Sequence, residues 1–368
     1  MKKALILLLS ALLLITPLAG CGAVEEQEPE AEAAEYDWDA AYAKFSPDTV
    51  VMSINGSEVH WDEYFYWMYR EYASYAAGYD LTDGVPGYED TLIGEYIAAA
   101  AADFCLQNHI AEQLAAGLGI TLTEEDEAVL AERLASDIET NLGEGATEEE
   151  FFDYLETVYV SRELYDYVNR TAALYARVFM ELYGSTGEKV SDEDALAFAE
   201  EYGFITAKHI LLRTTDDSGA ALSEGERESK LSEANDILAE LRAVPEADRE
   251  ALFTELMNER SEDPGLERYP DGYCFEPGTV VQEFRTAAEG LEIGGISDVV
   301  ESSSGYHIIM REPVTPDDKV LLGTSEVYTL RYACAVTAFN ESFTAEMAEA
   351  EVVYGEGFEG FNAAELFE

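Results

Sequence analysis

The chain has 368 residues, enough for two or three domains, and its 48% apolar content excludes a largely disordered protein. Against 77 Asp and Glu it carries 21 Lys and Arg, and the formal charge of −56 argues against nucleic-acid partners and against side-chain binding to anionic lipid, both of which need clustered cations. Four Cys and four His exclude a disulfide scaffold and leave little for a metal site.

Met1-Lys2-Lys3 is a basic start, and Ala4 to Ile15 is an apolar run broken only by Ser10. Spanning a bilayer takes about 20 apolar residues, so this run suits a secretory signal better. Leu18-Ala19-Gly20-Cys21 then resembles the bacterial lipobox, which implies a signal over residues 1–20, cleavage before Cys21 and lipidation of that Cys. The expected location is extracytoplasmic, on the bacterial cell membrane, with the bilayer as partner of the acylated Cys21. Glu25 to Asp39 holds eight acids and no base, so residues 21–45 are expected to be an acidic, self-repelling tether. Cys105, Cys274 and Cys334 allow at most one internal disulfide, and their pairing stays open.

Val50 to Ile54 reads as a strand, Asn55-Gly56 as a turn and Val59 as part of the return. Phe65, Met68, Tyr72, Tyr75 and Tyr79 recur at helical spacing, an aromatic face read as core rather than client surface. Thr123, Thr147 and Ser191 each stand three residues before an acid, which predicts three capped helices. Residues 60 to about 203 should therefore be nearly all helical.

The composition changes at Phe204. Ile205 to Leu212 is a β-branched, apolar strand. Helices follow around Leu231–Leu241 and Leu252–Met257, with a short one through Val281, Phe284 and Ala288, and a closing hairpin turns at Ser304-Gly305. A last helix runs from Ser325 to about Glu351, with Phe339, Phe343 and Met347 on one face.

No phosphate-cradling Gly loop, His-Glu-x-x-His or Gly-x-Ser-x-Gly occurs. Two of the four His lie in matching strand contexts, Lys208-His209-Ile210-Leu211-Leu212 and Gly305-Tyr306-His307-Ile308-Ile309-Met310. With Ser261-Glu262-Asp263 and Gly278-Thr279-Val280-Val281-Gln282-Glu283-Phe284 between them, the segment of about 205–313 resembles a parvulin-type peptidyl-prolyl isomerase. The resemblance implies paired imidazoles from His209 and His307, a polar group from Asp263, and a hydrogen-bond network completed by Ser302 or Ser304. It implies a proline cup of Leu212, Met257, Val280, Val281 and Phe284, and neither metal nor cofactor. Two departures stand out: Tyr269 to Phe275 replaces a Gly-Gly-Asp-Leu-Gly loop, and Val281 stands where Gln is frequent. Arg213 is a lone cation followed by Asp216 and Asp217, which argues against phosphate recognition.

In the order of its parts the whole chain resembles foldase lipoproteins with a SurA-like chaperone architecture. The expected fold is α+β: a mainly helical body from residues 46–203 with residues 314–368 packed on it, and an inserted parvulin module over 204–313 with a small antiparallel sheet. The expected function is a membrane-anchored prolyl isomerase that helps secreted polypeptides fold. The rival readings are a non-catalytic, ATP-independent holdase and, further off, a solute-binding lipoprotein. Oligomeric state stays open, with a dimer among the options.

Overall fold

A computed structural model describes residues 36–76, 79–321 and 327–368. The signal segment, Cys21 and the first part of the acidic tether lie outside the described residues. Packing divides the chain into two units, one running to Leu182 and resuming over Phe339–Glu368, the other spanning Tyr183–Ala338.

In the first unit the fold begins earlier than expected. Helix α1 (Trp38–Tyr42) falls inside the segment read as tether, and Trp38 is buried, edge-on to Phe65 with ring centroids 5.8 Å apart. The apolar bulk of Trp38 outweighs the acids around it, so the tether does not reach residue 45. Strands β1 (Val50–Ile54) and β2 (Ser57–His60) are joined by Asn55 and Gly56, whose φ values of 51° and 83° are those of a tight hairpin turn. Helix α2 (Trp61–Glu71) buries Phe65 and Met68 as core, but the expected face does not stay buried: Tyr72 is half-buried and Tyr79, beyond the helix, is exposed. An unexpected hairpin follows, β3 (Gly84–Val85) and β4 (Tyr88–Leu92), turning at Pro86-Gly87. Then come α3 (Ile93–Gly117), α4 (Glu124–Leu142), α5 (Glu148–Glu156) and α6 (Arg162–Tyr183). Thr123 Oγ1 accepts from the Asp126 N–H at 3.3 Å and Thr147 Oγ1 from the Glu150 N–H at 3.2 Å, the caps the sequence implied.

The second unit opens with α7 (Asp192–Tyr202), capped by Ser191, and Gly203 turns the chain at φ 72° into β5 (Ile205–Arg213). Next come α8 (Glu224–Ala243), α9 (Glu246–Arg260), β6 (Tyr273–Phe275), α10 (Gln282–Glu289), β7 (Val300–Glu301) and β8 (Gly305–Glu312). Beyond the expected end at 313, β9 (Lys319–Val320) and β10 (Tyr328–Thr329) extend the sheet to six strands in the order β10-β9-β6-β5-β8-β7. The sheet is antiparallel except where β9 runs parallel to β6. The unit is wider than the expected 204–313 for a physical reason. Thr206 Oγ1 donates to Asp318 Oδ2 at 2.5 Å, tying the later flank to the sheet, and Arg331 donates to Asp192 Oδ1 at 2.6 Å and to Val190 O at 2.5 Å, tying the two flanks to each other.

Helix α11 (Leu330–Glu349), β11 (Val352–Tyr354) and a final 3₁₀ turn (Ala363–Phe367) close the chain. In the first unit, Phe339 and Phe343 lie 4.8 and 4.9 Å from the Tyr175 ring, and β11 pairs antiparallel with β1 to give the order β11-β1-β2. The architecture is α+β. Cys105, Cys274 and Cys334 are all buried free thiols. Among the described residues, no helix is long and apolar enough to cross a membrane.

Candidate active site

Strand alternation decides what reaches the site. In β5, Ile210 and Leu212 point into a core with α8, α9, Tyr306, Ile308 and Met310, so His209, Leu211 and Arg213 point to the other face. In β8 the same parity turns His307 toward His209, because Leu211 pairs with His307 and His209 with Ile309. Gly305 starts β8 beside Leu212, and a Cβ there would sit 2.2 Å from Leu212 O. That close approach is the physical reason for Gly in the Ser-Gly-Tyr-His run.

Behind α9 the chain returns along β5. The Leu211 N–H donates to Ser261 Oγ at 3.1 Å, the Glu262 N–H to Leu211 O at 2.7 Å, and the Arg213 N–H to Glu262 Oε2 at 2.7 Å. These three bonds place the next residue, Asp263, opposite His209. Asp263 Oδ2 then lies 2.9 Å from His209 Nε2 and 2.6 Å from the Tyr273 hydroxyl, while Asp263 Oδ1 accepts from the Gly265 N–H at 3.0 Å. His209 Nδ1 is 3.4 Å from His307 Nδ1, and His307 Nε2 is 2.7 Å from Ser302 Oγ. The Ser304 N–H donates to Ser302 Oγ at 3.1 Å.

Donor counting assigns this row without conflict. An ionised carboxylate only accepts, so Tyr273 O–H and His209 Nε2–H both donate to Asp263. His209 Nδ1 is then an acceptor, which His307 Nδ1–H satisfies, and His307 Nε2 accepts from Ser302 O–H. Burial would raise the Asp263 carboxyl, but the His209 bond and charge, with Tyr273 and Gly265, outweigh it and hold the group down at about 2. For His307, burial first and the neighbouring His209 second press the imidazole down to about 4. Tyr273 is raised well above the ordinary phenol range by burial and by Asp263.

In front of this row lies a cavity of about 720 Å³. Phe284 stands edge-on to His209 and His307, with ring centroids 5.1 and 5.6 Å away. Val280, Val281 and Leu321 complete the apolar wall, with Val281 at the rim and 38% exposed. Of the expected residues, His209, Asp263, Ser304, His307, Val280, Val281 and Phe284 line the cavity, and Ser302 supports it through His307.

Leu212 and Met257 do not line it. Both are buried in the core on the opposite face of the sheet, 1% exposed each, and Leu211 takes the place expected of Leu212. Sequence reasoning also missed Tyr273 and Leu321. Tyr273 comes from the segment that departs from the usual loop, and it supplies a hydrogen bond to Asp263. Its neighbour Cys274 is fully buried. The β parity of His209 points to Leu211; nothing in the sequence marks Leu321, which arrives through β9.

Residues 209–313 match the family described as the Rotamase, or PPIC-type PPIASE, domain. The module is a parvulin-type rotamase domain. The chain is 33% identical over 110 residues to the putative peptidyl-prolyl cis-trans isomerase Cbf2 of Campylobacter jejuni, covering 29% of this chain and 34% of the relative. It is 28% identical over 192 residues to the foldase protein PrsA of Oceanobacillus iheyensis, covering 52% of this chain and 55% of that one. The crystal structure of PrsA from Bacillus subtilis aligns at 20% identity and a TM-score of 0.26, over 74% of this chain and 93% of that one. The chain thus spans between about a third and a half of the length of these curated relatives. The rotamase match ends at residue 313, so Leu321 of the parvulin cavity lies outside it.

Proposed function

We propose that this chain is an extracytoplasmic, lipid-anchored peptidyl-prolyl cis-trans isomerase that assists the folding of secreted polypeptides. The observation that carries the reading is the unbroken row Tyr273–Asp263–His209–His307–Ser302 behind an apolar wall of Val280, Phe284 and Leu321. The similarity to PrsA supports the folding role, and the Leu18-Ala19-Gly20-Cys21 run supports the anchor.

Rotation about an X–Pro amide faces a barrier of about 18–20 kcal/mol, and uncatalysed exchange takes tens to hundreds of seconds. No bond to carbon breaks, so the catalyst needs only to favour the twisted amide over the planar one. The planar amide owes its dipole to C–N resonance, and the twisted amide has lost that resonance. A proline ring held against Phe284, Val280 and Leu321 leaves water, and the planar form, being more charge-separated, loses more solvation. Burial keeps the His307 imidazole uncharged at neutral pH, so the ring behind the proline adds no positive charge of its own. Asp263 holds His209 in the tautomer that lets His307 point Nδ1–H inward and accept from Ser302. Ser303 and Ser304 line the cavity edge, where their hydroxyls can meet the carbonyl as it turns.

The test is protease-coupled isomerisation of a prolyl tetrapeptide by the soluble chain starting after Cys21. Acceleration that saturates with peptide supports the isomerase. Suppression of client aggregation with no acceleration of any peptide leaves the holdase instead.

A further inference from the structure

At the mouth of the parvulin cavity a cation is already covered by its own loop. Arg213 closes β5 two residues beyond Leu211, on the face of His209, and lines the cavity near Thr215 and Ser304. This end is polar, whereas Phe284, Val280 and Leu321 form the apolar end. A proline ring belongs at the apolar end, which carries a residue flanking the proline toward Arg213. An uncovered guanidinium there would favour an acidic flanking residue.

The guanidinium is not uncovered. Arg213 Nη1 donates to Asp217 Oδ1 at 3.2 Å and Nη2 to Asp216 O at 2.9 Å. The loop that delivers Asp217 is well braced: the Asp216 carboxylate accepts from the Ser218 N–H at 2.9 Å, the Ser218 hydroxyl at 2.7 Å and the Ala220 N–H at 2.9 Å, and Thr215 bridges to Ala221. The two neighbouring acids therefore do different things. Asp216 folds the loop, and Asp217 reaches back to the cavity mouth. Glu262, which accepts from the Arg213 N–H, adds a further carboxylate and is itself paired with Lys230.

We infer that Asp217 is a specificity-determining residue. It occupies the anion position that Arg213 offers, and so directs the site to proline segments flanked by neutral or basic side chains and away from acidic or phosphorylated ones. This rests on the isomerase reading above and names its substrate class. An acidic substrate must displace Asp217 and also enter the field of a strongly acidic chain, a penalty that salt screens. Because the Arg213–Asp217 pair is exposed, the effect is expected to be about twofold to fivefold.

The test uses the chain starting after Cys21 and proline peptides that differ only in one flanking residue: Ala, Lys, Glu or phosphoserine, placed before or after the proline. At low salt the wild type should favour Lys and Ala over Glu, and Glu over phosphoserine. D217N should raise the Glu-to-Ala ratio of kcat/KM about threefold at one flanking position, and adding R213Q should cancel that gain. A ratio unchanged by D217N at both positions overturns the proposal, as does a gain that persists in the double variant. If no peptide is turned over, the isomerase reading fails separately. The same ratios are then read from peptide dissociation constants by NMR shift titration, and an unchanged ratio there again overturns the proposal.

Discussion

His209 Nδ1 and His307 Nδ1 face each other at 3.4 Å, so one proton has to serve both nitrogens. If each ring carried its own Nδ1–H, two donors would meet with no acceptor between them. The conflict is resolved from the two ends of the row: Asp263 takes the His209 Nε2–H, and Ser302 gives its hydroxyl proton to His307 Nε2. The polar row therefore has a direction, fixed by the carboxylate of Asp263 at one end and the Ser302 hydroxyl at the other.

Removing that charge should damage the direction rather than the fold. Asp263→Ala leaves His209 Nε2–H without its acceptor and frees both rings to change tautomer. Isomerase kcat/KM should fall about tenfold to a hundredfold, in line with the loss of a charged hydrogen bond of roughly 1.5–3 kcal/mol. Far-ultraviolet circular dichroism should be unchanged. Wild-type activity in this variant would show that the row does not serve the reaction.

Stability should fall with pH in two adjoining windows. His307 is held at about 4 in the fold against an ordinary 6.5, so between these values the unfolded chain binds the proton first. Its contribution is complete above pH 6.5 and is lost as the pH drops to about 4, a change on the order of 3 kcal/mol. Asp263, held at about 2 against 3.8, contributes above 3.8, and that share is lost as the pH falls to about 2. Urea midpoints measured from pH 8 to pH 4 should show the first window, and His307→Phe should flatten it. An equally steep decline in that variant would place the titration elsewhere.

Tyr273→Phe isolates the hydrogen bond that the altered loop supplies. The ring stays packed on Tyr269, with centroids 4.7 Å apart, so the fold should hold. Asp263 loses one donor, and its carboxyl should rise from about 2 toward 3.8 by up to roughly one unit. A carbon-detected NMR titration of Asp263 checks this, and a carboxyl that does not move would mean that His209 and Gly265 suffice.

What the sequence made legible was what local chemistry decides. The caps at Thr123, Thr147 and Ser191 and the Asn55-Gly56 turn each rest on a few neighbouring residues. His209, Asp263, Ser302 and His307 were legible because motif order places them together. Leu212 and Met257 were assigned to the wrong face, since proximity along the chain hides which side of a strand a residue occupies. Counting by two from His209 corrects the first; the second needs the packing of α9. The short strands β9 and β11 exist through pairing with the distant β6 and β1, and β10 exists only by adding to β9; none has an alternation long enough to announce it.

The anchor is tested at a single sulfur. Cys21→Ala should abolish incorporation of labelled fatty acid and release the chain from membranes. Undiminished labelling in this variant would remove the lipoprotein reading.

The last prediction concerns where the parvulin module ends. Residues 204–313 contain the matched family segment but omit Asp318, β9 and the Arg331 anchor. Cutting there removes the Thr206–Asp318 bond, the 2.8 Å bond from the Leu321 N–H to Cys274 O, and the fully buried Val320. It also exposes the edge of β6 and takes Leu321 out of the cavity wall. One buried aliphatic side chain and two hydrogen bonds together are worth roughly 2–5 kcal/mol. A fragment of residues 183–338 should therefore unfold cooperatively and at a higher urea midpoint than one of residues 204–313, and it should bind proline peptides more tightly. Equal midpoints and equal peptide affinity would show that the flanks on either side of the matched segment are dispensable to the module.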